Sequence, residues 1–145
     1  MAAWLCRSTV IAIALPPKQA IELFTPEGER KWSAGWDPVY PRPERTAGPG
    51  AVFITGHDGH TTTWTMVDHT AGCVRYARVT PGVAAGTVTV ALEADGAGGT
   101  RAQVTYDLTS LSADGDARLA DFDRAYDADI AEWETAIAQA LASGA

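Results

Sequence analysis

Few side chains in this sequence are spaced for chemistry, and most of them sit at turns. His57 and His60 flank Asp58-Gly59, a strong two-residue hairpin signal, so two imidazoles and a carboxylate stand close together with His69 nearby in sequence. Two histidines and an acid can begin a metal site, yet no third ligand follows at a convincing spacing, and polar groups are ordinary at a hairpin tip. No Ser or Cys lies in an elbow motif beside a base, which leaves nucleophilic catalysis without a candidate. Cys6 and Cys73 match no metal or redox spacing and read as free thiols in strands, in keeping with a reducing, cytoplasmic setting. Gly96-Ala97-Gly98-Gly99 lacks the Lys or Ser/Thr of a phosphate cradle and reads as a flexible loop. The expectation is no cofactor and no metal, with the catalytic residues, if any, unknown.

The remaining polar candidates lie among aromatics. Thr62 shares a strand face with Trp64, and Arg78 shares one with Tyr76. The register past Pro81-Gly82 decides which face points inward: a two-residue loop aims Cys73, Arg75 and Ala77 at the core, and one residue of bulge reverses this. An inward Arg78 needs a carboxylate partner or an anionic or carbonyl ligand, because an unpaired buried charge is costly. An outward one is surface charge. Trp32, Trp36 and Tyr40 border a Pro-rich connection, where they form the mouth of a pocket or staple the loop to the domain.

These groups must be held by a strand-rich body and one long helix. From about Asp114 to Leu141, apolar residues recur at Leu119, Phe122, Tyr126, Ile130, Trp133, Ile137 and Leu141, three or four apart, and so form a single stripe. Such a helix is roughly 40 Å long and wants a broad apolar partner. The preceding strands supply one. Trp4 to Ala14 is rich in β-branched residues; its apolar run from Thr9 to Leu15 imitates a secretory core but is followed by Pro16-Pro17-Lys18 rather than a cleavage site, and reads as a first strand. Pro16-Pro17 opens a short helix and Thr25-Pro26-Glu27 caps a second, ending near Trp32 or Ser33. Gly35 to Gly50 is a connection with at most an edge strand near Val39. An antiparallel meander then runs Ala51–Gly56, Thr61–Asp68, Cys73–Thr80, Gly86–Ala94 and Thr100–Leu108. Pairing Glu93 with Arg101 aligns the apolar faces of the last two strands.

Bulk properties narrow the classes. The 145 residues fit one domain, 1–145, which buries roughly 70% of its unfolded surface. Eight acids against Arg118 and Arg124 after Ser112 contribute −6 of the net −7, so the acidity is mostly one solvated helix face. No basic stripe supports nucleic-acid binding, and no run of about 18 apolar residues spans a membrane.

The order of elements, with Thr25-Pro26-Glu27-Gly28-Glu29-Arg30-Lys31-Trp32, Gly35-Trp36-Asp37-Pro38-Val39-Tyr40-Pro41, Thr61-Thr62-Thr63-Trp64 and Val74 to Gly82, resembles the helix-grip superfamily of Bet v 1-like and START-related domains. The likeness is nearest to small bacterial polyketide cyclase/dehydratase-like and lipid-transport-like members. It implies an α+β fold, a curved antiparallel sheet of six to seven strands wrapped around the long helix, with two short helices after strand 1. It also implies a small hydrophobic ligand, lipid-like or aromatic, held between sheet and helix by Trp64, Tyr76, Arg78, Val88, Val90, Val104, Tyr106, Phe122, Tyr126 and Trp133. The alternative is a cyclase or dehydratase using polar residues of the same cavity. A third reading is an interaction module that dimerises through an open sheet edge. The expected state is monomer or homodimer.

Overall fold

A computed structural model describes residues 3–144. Its elements are β1 (Trp4–Ile13), α1 (Pro17–Ala20), a 3₁₀ turn (Ile21–Phe24), α2 (Pro26–Glu29), β2 (Val52–His57), β3 (His60–His69), β4 (Cys73–Thr80), β5 (Ala84–Ala94), β6 (Thr100–Ser110) and α3 (Ala113–Ala142). All strands pair antiparallel in one open sheet of order β1-β6-β5-β4-β3-β2. This is the helix-grip α+β arrangement, with six strands. The edge strand expected near Val39 is a single bridge to Ile54, because the four prolines around it cannot sustain a ladder.

Local chemistry sets the boundaries. Pro17 begins α1 and Pro26 begins α2, where the Thr25 hydroxyl accepts from Gly28 N at 3.0 Å. Regular helix stops at Glu29, earlier than expected, and the chain continues as hydrogen-bonded turns to Ser33. Asp58 and Gly59 both take positive φ, 50° and 77°, as a primed hairpin turn requires. Glu93 pairs with Arg101 in register, their side chains 2.7 Å apart.

The thirty-residue α3 starts at a Ser112 cap, whose hydroxyl accepts from Gly115 N, with Asp114 and Asp116 in the first turn. Leu119, Tyr126, Ile130 and Ile137 are buried along one stripe, worth roughly 1.5–3 kcal/mol each relative to exposure. They rest chiefly on β1 and β6. Over the rest of the concave face lie the short helices and the connection after α2.

Candidate functional site

That division leaves a hollow. A pocket of about 330 Å³ lies between the sheet and the short helices, floored by Tyr76, Val88, Val90 and Tyr106 and walled by Phe24, Trp36, Trp64 and Trp133. Glu29, Ser33, Thr55, Thr62 and Arg78 add polar side chains, and Ala34, Gly35, Gly56 and His57 form an exposed rim.

The loop after β4 decides its chemistry. Three residues, Pro81 to Val83, separate Thr80 from its partner Ala84, and Tyr76 stands opposite Val88 with Val74 opposite Val90. Val74, Tyr76 and Thr80 are therefore buried, with Arg78 on their face, while Arg75 and Val79 face out. The two-residue alternative, which aimed Cys73, Arg75 and Ala77 inward, does not occur. Directly across from Arg78 stands Gly86, where a Cβ would fall 1.9 Å from the Asp107 carbonyl oxygen; only glycine fits.

Arg78 stacks on its cross-strand partner Trp64, the guanidinium carbon 4.7 Å from the ring centre. Its one side-chain hydrogen bond among the described residues is a long donation to the Thr80 hydroxyl at 3.4 Å, and Thr80 is already bonded to Thr62 at 2.6 Å. Desolvation lowers its pKa, opposed by the nearby Tyr106. Trp64 is held in place by donation to the Thr55 hydroxyl at 2.9 Å and by a parallel stack on Phe53. At the end of α2, Glu29 projects into the pocket with no hydrogen bond or ion pair among the described residues, and burial raises its carboxyl well above the usual carboxylate range. Tyr76 donates to the Phe24 carbonyl at 2.7 Å, whereas the Tyr106 hydroxyl has no partner among the described residues. Burial pushes both phenols up.

Of the ten residues proposed from the sequence, Trp64, Tyr76, Arg78, Val88, Val90, Tyr106 and Trp133 border the pocket. Val104, Phe122 and Tyr126 do not. Tyr126 donates to the Val104 carbonyl at 2.7 Å, and Phe122 packs on Tyr106 and Tyr126, so these three fill the seam beneath α3. Glu29 was missed as a site residue; its three-residue spacing to Trp32 was the available signal, since it puts the two on one face of a helical turn. Trp32, Trp36 and Tyr40 staple the connection by donating to the Leu23 carbonyl, the Pro26 carbonyl and the Glu27 carboxylate, and Trp36 also walls the pocket.

Elsewhere the candidates are poorer. A groove of about 680 Å³ near the end of α3 has Asp95 as its one charged residue, and that carboxylate already accepts from Ala97 N and Gly99 N. His57 lies 3.1 Å from Asp58 at the exposed hairpin tip, and His69 lies 3.5 Å from Glu22. Among the described residues no group of three or more His, Cys, Asp or Glu is placed to hold a metal ion. No described helix is long and apolar enough to cross a membrane.

Residues 7–141 match the family model described as polyketide cyclase/dehydrase and lipid transport. Comparison with curated proteins finds no match. Among solved structures, the ZhuI aromatase/cyclase from Streptomyces sp. R1128 superposes with a TM-score of 0.71 at 14% identity, covering 98% of this chain and 99% of that one. A protein from Rhizobium leguminosarum reaches 0.63 at 21% identity, covering 96% and 99%. Ara h 8.0201 reaches 0.62 at 13%, covering 97% and 99%. At these identities the likeness establishes a shared fold.

Proposed function

The chain belongs to the polyketide cyclase/dehydrase and lipid-transport family, and on that premise we propose that it binds a compact hydrophobic molecule in the pocket between β3–β6, α2 and Trp133. The observation that carries this reading is the pairing of an aromatic and aliphatic lining with Arg78, a cation that no carboxylate among the described residues neutralises. An apolar pocket with a few convergent polar groups is the usual form of a small-molecule site, and a volume near the lower end of the range of about 300–1,000 Å³ suits a compact ring system better than a long acyl chain. The body of the ligand lies against Trp64, Trp36, Val88 and Val90, and an oxygen meets Arg78.

A second reading, a cyclase or dehydratase acting on a polyketide-like substrate, is favoured by one feature: Arg78, Tyr106 and Glu29 share the pocket without pairing to one another. Arg78 and Tyr106 would polarise a carbonyl, and a protonated Glu29 would serve as the acid.

The test is a thermal-shift and native-mass-spectrometry screen with lipids and polyketide-like aromatics. Compact aromatics raise the melting temperature and appear as bound mass, and Val90→Trp, which fills the pocket, removes the effect. Uniform indifference across the panel overturns the binding reading. Chemical change of a bound aromatic precursor, lost in Arg78→Met, decides for the enzyme.

A further inference from the structure

Resting on the pocket reading above, we propose that the bound molecule is an acid held as its monoanion: a carboxylate, sulfonate, phenolate or enolate on an aromatic body, its charge set against Arg78. Arg78 has donors that the described residues leave unmet. Arg7, Arg30, Arg101 and Arg118 each have a carboxylate within 3.0 Å. Arg78 has none among the described residues, although it is the arginine that lines the pocket. A guanidinium has five N–H donors and no acceptor, and the described residues supply a single long hydrogen bond, through the Thr80 hydroxyl. Thr80 shares that oxygen with Thr62, 2.6 Å away, and neither hydroxyl carries a charge to set against the guanidinium.

The rest of the polar lining cannot take the place of a counterion. Glu29 makes no ion pair with Arg78, and its burial favours the neutral acid, which is a donor. The Tyr106 hydroxyl is another donor without an acceptor among the described residues. Tyr76 already donates to the Phe24 carbonyl. The pocket therefore holds one uncompensated positive charge and a surplus of donors. A desolvated cation is costly unless paired, and a single anionic oxygen group removes that cost through charge-assisted hydrogen bonds. A dianion would replace one unpaired charge by another, and a cationic ligand would double it.

Two fluorescent probes of nearly the same shape test this: anilinonaphthalene sulfonate, an anion, and N-phenylnaphthylamine, its uncharged counterpart. Titrated into the full chain at mildly acidic pH, the anion binds at least about tenfold more tightly, the scale of one charge-assisted contact. Arg78→Met brings the two probes to parity, Arg78→Lys keeps part of the preference, and Val90→Trp weakens both. Equal affinity of the two probes for the native chain, or a preference that survives in Arg78→Met, overturns the proposal while leaving the pocket reading intact. Binding of neither probe overturns the pocket reading and the proposal with it. Because the comparison of probes uses the native chain, it stands even where a variant folds badly.

Discussion

Arg7 and Arg78 are built alike and used differently. Each lies on the concave face of the sheet, and each stacks on an aromatic ring, Arg7 at 5.0 Å over Tyr126 and Arg78 at 4.7 Å over Trp64. Arg7 also meets Asp123 at 2.6 Å and Asp127 at 2.9 Å, both supplied by α3. Arg78 lies beyond the reach of those acids, beneath α2 and the connection that follows it. The half of the sheet under α3 closes on itself, with side chains satisfied by the protein. The half under the short helices is hollow, with Arg78, Tyr106 and Glu29 left without an ion-pair partner among the described residues. One sheet thus carries both a solid core and the candidate pocket, and what differs is which helix covers it.

Matched tyrosines give the largest expected contrast. Tyr126, 1% exposed, donates to the Val104 carbonyl, whereas Tyr106 lines the pocket and its hydroxyl has no partner among the described residues. Tyr126→Phe removes a buried hydrogen bond and costs about 0.5–1.5 kcal/mol in urea denaturation. Tyr106→Phe removes no hydrogen bond made among the described residues and leaves the midpoint unchanged. Equal losses in the two variants would mean that the hollow half is packed and satisfied after all.

The arginines sharpen the same contrast with an opposite sign. Arg7→Met takes away the partner of two helix acids and lowers the melting temperature slightly, an effect that added salt reduces because the pairs are exposed. Arg78→Met replaces an unneutralised, desolvated cation with an apolar side chain of similar reach. It leaves the melting temperature of the empty protein unchanged or raises it. A large fall there would show that Arg78 is held by structural contacts rather than waiting for a ligand.

How much of this was legible beforehand follows the same boundary. Strand alternation, the Asp58-Gly59 turn, the Pro26 start of α2 and the stripe on α3 are local patterns, and each produced its element within a few residues. The inward face of β4 was undecidable because it depends on a single loop residue, Val83, between Thr80 and Ala84. Val104, Phe122 and Tyr126 carry the same residue types as a pocket lining. Whether such a stripe packs solid or borders space depends on where α3 lies across the sheet, which no periodicity encodes. Glu29 escaped because an acid at the end of a four-residue helix is ordinarily solvated; only the turns through Ser33 fold it under.

Glu29 gives the smallest and most specific contrast, one that depends on pH. Around it lie Arg78 and Tyr76 from β4, Tyr106 from β6 and His57 at the tip of β2, yet burial alone accounts for its raised pKa. Above its ordinary value of about 4.5 the unfolded chain releases this proton while the folded chain keeps it. The folded state then binds more protons, so stability falls as pH rises, until the folded pKa is passed. Glu29→Gln removes that slope: it matches the native chain at low pH and is the more stable of the two near neutrality. An anion on Arg78 strengthens Glu29's hold on its proton, so binding of anilinonaphthalene sulfonate weakens with rising pH in the native chain and stays level in Glu29→Gln. Identical slopes in the two proteins would remove Glu29 from the site and leave Arg78 as its one ionisable anchor.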